Sequence, residues 1–122
     1  MLYDKKNIFA KILRGEIPCN KVYENEYVLS FYDNNPQKKI HVLVIPKGEY
    51  IDLDDFHNKG SEKEILEFNK AISHVVKMLK ISNQESGYRL LSNIGEDGGQ
   101  EVPHLHYHIF GGEKIGKMVV QS

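Results

Sequence analysis

The segment His104-Leu105-His106-Tyr107-His108-Ile109-Phe110 constrains this chain more than any other. Three of its six histidines stand at every second position, with apolar or aromatic residues between and after them. A β-strand alternates its side chains, so this spacing predicts a strand with three imidazoles on one face. Leu105, Tyr107 and Ile109 then point the other way, into a core. Imidazole acts as nucleophile, base, acid or metal ligand near neutral pH. Three on one face imply either chemistry on an anion or a metal site. His57 and His74, one in a polar segment and one in a helical pattern, read as ordinary surface or hydrogen-bonded residues.

The bulk properties narrow the rest. A chain of 122 residues suits one domain with a modest core. Sixteen Lys and Arg stand against 17 Asp and Glu, for a formal charge of -1, and no basic tract is present. That balance gives no electrostatic reason to expect a nucleic-acid polymer, although local groups can hold a small nucleotide. Cys19 is the only cysteine, which excludes an internal disulfide and suits a reducing compartment. Asp4, Lys5, Lys6 and Asn7 interrupt any leader-like apolar run, and no apolar stretch approaches the roughly 20 residues of a membrane helix. These features predict a cytoplasmic protein with no membrane contact.

The pattern along the chain is α+β. Ile8, Phe9, Ile12 and Leu13 predict a short helix capped by Asn7 and ended by Gly15. Lys21–Tyr23, Tyr27–Tyr32 and Tyr88–Ser92 read as strands. Ile40–Ile45 reads as a central strand stopped by Pro46. Tyr50–Phe56 is ambiguous. Ser61-Glu62-Lys63-Glu64 has capping-box spacing, and the apolar positions after it predict a helix to about Lys80. Between Asn93 and Gln100 lies a polar, Gly-rich loop. Gly98 and Gly99 would let its amides turn toward a phosphate as a nest. The zinc alternative for the histidines is geometrically awkward. Alternate Cα atoms of a strand are about 6.6 Å apart, and a third histidine at twice that distance does not easily reach one ion.

Several stretches resemble one known family in order. The His-φ-His-φ-His-φ-φ pattern resembles that of the histidine triad, or HIT, superfamily. Asn7-Ile8-Phe9-Ala10-Lys11-Ile12-Leu13-Arg14-Gly15-Glu16-Ile17-Pro18 is similar to the N-terminal segment of its Hint branch, the histidine triad nucleotide-binding proteins. Phe31–Gln37, His41–Lys47 and Gly98-Gly99-Gln100-Glu101-Val102 also fit. The resemblance runs from about Asn7 to Gly112. It implies a single HIT domain over 1–122 with its core at 7–112 and a short tail at 113–122. The implied fold is a small antiparallel sheet with two helices, extended across a homodimer.

The resemblance also implies an activity. Such proteins bind purine nucleoside monophosphates and cleave purine nucleoside phosphoramidates, such as adenosine 5'-monophosphoramidate, to AMP and an amine. His106 would be the nucleophile, forming a nucleotidyl-histidine. His108, protonated, would contact the phosphate oxygens and assist proton transfer. His104 and His41 would support the nucleophile from behind. Ile8, Phe9, Ile12 and Phe31 would line the base site, and Asp33 would hold the ribose hydroxyls. Asn93, Gln100, Glu101 and Val102 would lie near the phosphate or leaving group. No metal or cofactor enters this scheme. Glu101 departs from the serine of animal relatives, Pro103 from a common tyrosine, and the tail lacks their tryptophan. A dinucleoside polyphosphate hydrolase, a nucleotide-binding regulator and a zinc protein are the alternatives.

Overall fold

A computed structural model of the chain describes residues 2–119. Met1 and residues 120–122 of the expected 1–122 domain, and with them the end of the expected 113–122 tail, lie outside the described residues. The elements are α1 (Ile8–Leu13), β1 (Lys21–Glu24), β2 (Val28–Tyr32), β3 (Ile40–Pro46), α2 (Leu53–Lys59), α3 (Glu62–Met78), β4 (Arg89–Leu91) and β5 (Tyr107–Gly111). The five strands form one antiparallel sheet in the order β1-β2-β3-β5-β4. The fold class is therefore α+β, as the sequence predicts.

β3 is central because both of its faces are buried. Val42 and Val44 face a core of Phe56, Phe68, Ala71, Ile72, Val75 and Val76 from α2 and α3. Leu43 and Ile45 face the opposite side, with Phe9 and Ile12 of α1 and Leu29 and Phe31 of β2. This two-sided burial explains the nearly continuous apolar run, since a half-exposed strand would alternate. Pro46 ends the strand rather than following it; its partner across β2 is Val28.

The helices form where local chemistry closes their ends. The Asn7 side chain accepts from the Ala10 N–H, and Gly15 adopts φ +78° just beyond α1. Ser61 and Glu64 complete a reciprocal capping box at the start of α3, whose buried stripe is Phe68, Ala71, Ile72, Val75 and Val76. α3 stops at Met78, close to the expected end. Two helices were implied, and α2 is a third. Asp52 caps it by accepting from the Asp55 N–H, and Phe56 is its one buried side chain. Seven residues with one buried anchor leave little periodicity to read, which is why Tyr50–Phe56 is ambiguous in the sequence. His57 lies on α2 and His74 on α3. Among the described residues, no helix is long and apolar enough to cross a membrane.

Candidate functional site

The site lies on the α1 side of the sheet. Register places His108 opposite Leu43 and Phe110 opposite His41, so these four side chains share that face. Tyr107 and Ile109 oppose Val44 and Val42 and face the α3 core. The expected strand over the histidines is shorter than predicted. β5 begins at Tyr107, and His104 and His106 precede it. The physical reason is Pro46. Where β5 would continue to pair with β3, that residue has no N–H to donate. The lead-in backbone finds other partners instead. The Leu105 N–H donates to Tyr50 O, and the His106 carbonyl accepts from the Ser92 hydroxyl. Alternation survives without the ladder: Leu105 is buried in the α3 core while His104 and His106 turn to the other side.

Partners that can act in only one sense, followed from ring to ring, assign tautomers to His41, His104, His106 and His108. His106 Nδ1 lies 2.7 Å from the His104 carbonyl, which only accepts. Nδ1 therefore carries the proton, and Nε2 keeps its lone pair. His104 Nε2 lies 2.8 Å from the Pro46 carbonyl, so that nitrogen carries the proton there. Its Nδ1 accepts from the Tyr3 hydroxyl at 2.5 Å. The Gln37 backbone N–H donates to His41 Nδ1 at 3.1 Å, which puts the His41 proton on Nε2. That Nε2–H lies 2.9 Å from His108 Nδ1 and 3.4 Å from Asp33 Oδ2. His108 Nδ1 consequently accepts, and its Nε2 carries a hydrogen. Among the described residues of the constellation, His106 Nε2 keeps a lone pair and His108 Nε2 an N–H that no protein group takes up.

These assignments require neutral rings, and burial supplies them. Loss of solvent lowers the pKa of all four histidines, to about 4 for His104 and about 4 for His108. Desolvation dominates, and for His104 and His108 the neighbouring His106 adds repulsion. The expectation of a protonated His108 is thus corrected. His108 is a neutral donor, because burial disfavours its cation and His106 and His41 add repulsion.

A pocket of about 150 Å³ opens over these rings, lined by Phe9, Asp33, Gln37, Leu43, Asn93, Gly99, Glu101, Val102, His106 and His108. Seven of the residues expected at the site meet there. His104 and His41 lie beneath it, bonded to the rings above. Ile12 and Phe31 do not reach it; both are buried in the core cluster with Leu29 and Ile45, and Phe31 meets Phe9 edge-on. Ile8 is 41% exposed and points outward from α1. The Gln100 side chain braces the loop, donating to Ile51 O and Val102 O and accepting from the Gly95 N–H.

Of the nest expected at Gly98 and Gly99, the Gly99 amide is already committed within the loop. The Gly99 N–H donates to Glu96 O and the Gln100 N–H to Gly95 O, so those amides close the loop on itself. Gly98 is required for a different reason: a Cβ there would lie 2.2 Å from Ile94 O. Sequence reading assigned no role to Tyr3, to the Gln37 amide or to the Pro46 carbonyl. Nothing local to the sequence pairs Tyr3 with a residue 101 positions away.

Donor atoms of Asp33, His41 and His108 lie within 4.8 Å of one another, close enough to test against a cation. The hydrogen-bond senses oppose it. Binding through His41 Nε2 would move its proton to Nδ1, against the Gln37 N–H. Nor do the three histidines of the triad converge on one ion, because both His104 nitrogens and His106 Nδ1 already have partners.

The HIT domain model matches residues 14–115. An uncharacterized HIT-like protein of Azospirillum brasilense is 52% identical over 120 residues, covering 98% of this chain and 97% of the relative. The purine nucleoside phosphoramidase of Escherichia coli K12 is 37% identical over 123 residues, covering 97% of both chains. A solved histidine triad protein from Clostridium difficile superposes with a TM-score of 0.81 at 40% identity, covering 97% of this chain and 100% of its own. A HIT family hydrolase from Clostridium thermocellum does so with a TM-score of 0.84 at 35% identity, covering 96% and 99%. With its histidines on one buried face and its likeness running from end to end, the chain belongs to the HIT domain family.

Proposed function

We propose that this protein is a nucleotide hydrolase that cleaves the P–N bond of purine nucleoside phosphoramidates through His106. The observation that carries the reading is the pairing of nitrogens at the pocket: a neutral His106 Nε2 lone pair beside a His108 Nε2–H. A neutral imidazole is a competent nucleophile, and a covalent intermediate divides one hard displacement into two easier ones. His106 Nε2 attacks phosphorus, and the P–N bond to the amine breaks as the amine takes a proton from water. Water then attacks the same phosphorus, the P–Nε2 bond breaks, and the nucleotide leaves with His106 neutral again, the water's proton returning to solvent to replace the one the amine took. The His108 N–H is aimed at a phosphate oxygen, where a fixed donor stabilises growing charge. The purine and the amine come from the likeness to the Escherichia coli phosphoramidase.

The pocket volume suits a phosphate with part of a ribose. Asp33 faces that ribose, and the base lies across Phe9 and the exposed Ile8 of α1. Asn93, Glu101 and Val102 border the leaving group. The same reading takes the working unit as a homodimer in the cytoplasm, with no resident cofactor. One observation favours an anionic leaving group, as in a dinucleoside polyphosphate. A groove beside His108 and Asn93 is lined by Lys38, Arg89 and Lys117, with no acidic residue among the described residues of its wall.

Phosphorus NMR with adenosine 5'-monophosphoramidate and a chelator tests the reading, beside His106→Ala. AMP formed only by the wild type supports metal-independent hydrolysis through His106. A folded wild type that releases no AMP refutes the phosphoramidase reading.

A further inference from the structure

We propose that Tyr3 is a positioning residue for the chemistry at His106, acting through His104. The inference rests on the reading of His106 as nucleophile. His104 is completely buried, and its Nε2–H is committed to the Pro46 carbonyl. The lone pair on its Nδ1 therefore needs a donor, because an unmet acceptor in a buried place is costly. The Tyr3 hydroxyl is that donor, at 2.5 Å, and the Tyr3 ring meets the His104 ring edge-on at 5.6 Å between centroids. His104 is thus held at both ring nitrogens, by the N-terminal segment on one side and the end of β3 on the other.

Two consequences reach the nucleophile. The first is aim. The His104 carbonyl accepts the His106 Nδ1–H at 2.7 Å and so sets the ring whose Nε2 faces the pocket. A His104 ring fixed at both ends keeps that carbonyl in place. The second is charge. A hydrogen bond donated to Nδ1 favours the neutral ring over the cation. When His106 carries the nucleotidyl group its imidazole becomes positive, and a neutral His104 behind it adds no repulsion. The other groups facing His104 are the His106 and Phe9 rings and, at longer range, the Glu49 carboxylate.

Tyr3 is not simply another core residue. It is only partly buried and belongs to neither apolar cluster. Its position ahead of α1 ties the first residues of the chain to the catalytic lead-in 101 positions later. Removing the hydroxyl should therefore disturb the histidines more than the fold.

Tyr3→Phe tests this, because it keeps the ring and deletes the donor. The wild type and the variant are compared by steady-state kinetics on adenosine 5'-monophosphoramidate, by nitrogen-15 NMR of the histidine rings and by thermal melting. The expected result is a kcat lowered about tenfold, as the loss of one hydrogen bond would give, with KM changed less than about twofold. The His104 Nδ1 resonance moves toward that of an unbonded ring nitrogen, and the melting temperature changes little. Wild-type kinetics in the variant, or an unmoved His104 Nδ1 signal, would overturn the proposal. So would a large fall in melting temperature with kcat and KM lost together, which marks a purely structural role. If the wild type itself releases no AMP, the reading of His106 fails and the positioning role falls with it. A wild type that turns over beside an equally active variant overturns the role of Tyr3 alone.

Discussion

Acidification from pH 7 to pH 5 should destabilise this protein through its buried histidines. His104 lies at about 4 in the folded chain against an ordinary 6.5. The unfolded chain therefore binds a proton in this window that the folded chain refuses, so stability falls as pH falls. Taking the ratio of proton-binding terms in the two states gives a loss of about 2 kcal/mol for His104 between pH 7 and 5. His108 is displaced to the same value but reaches the pocket, so solvent screening reduces its share to roughly 1 kcal/mol. His41 and His106 are shifted in the same direction and add to the trend. Against a domain stability of about 5–15 kcal/mol, a loss of about 3 kcal/mol is easily measured. Carboxylates do not confuse the window. Glu24, held at about 2 by Lys21 and Lys47, loses its contribution only as pH falls below its ordinary 4.5. Urea unfolding followed by circular dichroism at fixed protein concentration measures the effect, since the chain has no tryptophan to report by fluorescence. A stability that is flat from pH 7 to 5 would refute the buried, neutral histidine chain.

Three further perturbations probe separate parts of the molecule. Ser61→Ala removes one half of the capping box and should cost about 1 kcal/mol in urea unfolding, with kinetics unchanged. Gly98→Ala places a Cβ against the Ile94 backbone, so the loop must shift. Overpacking of this kind costs about 1–3 kcal/mol, and a lowered kcat/KM should accompany it because Gly99 borders the pocket. Asp33→Asn should weaken binding of AMP about tenfold in calorimetry, the loss of one charge-assisted hydrogen bond, and leave binding of 2',3'-dideoxy-AMP much less affected. Equal losses on both ligands would separate Asp33 from the ribose.

Much of the scaffold was legible because it rests on local signals. Asn7 and the Ser61–Glu64 box announce helix starts through side chains that act within four residues, and Gly15 announces an end by its positive φ. The apolar run at Ile40–Ile45 announces a strand buried on both faces. The pocket-facing positions of the triad follow from alternation, which persists through His104 and His106 even where the strand does not. What sequence pattern could not supply is long-range and carried by the backbone. α2 has too few apolar anchors to show a period. Ile12 and Phe31 are apolar residues adjacent in space to the pocket, and pattern cannot separate a core wall from a pocket wall one layer apart. The missed shortening of β5 depends on a proline in a different strand.

The histidines themselves illustrate where chemical specificity resides. Four identical side chains crowd one sheet face, yet only one presents a bare lone pair to the pocket and another presents an N–H. Nothing intrinsic to imidazole makes that choice. The Gln37 amide, the Pro46 carbonyl and the His104 carbonyl make it, and each can act in only one hydrogen-bonding sense. Two consequences follow for the whole constellation. Replacing the Gln37 or Pro46 side chain leaves these backbone partners present, so tautomers should resist mutation at those positions unless the backbone moves. The Tyr3 hydroxyl is different, because it is a side-chain donor completing the bonding of His104. That places the most easily altered support of the triad at the opposite end of the sequence from the triad.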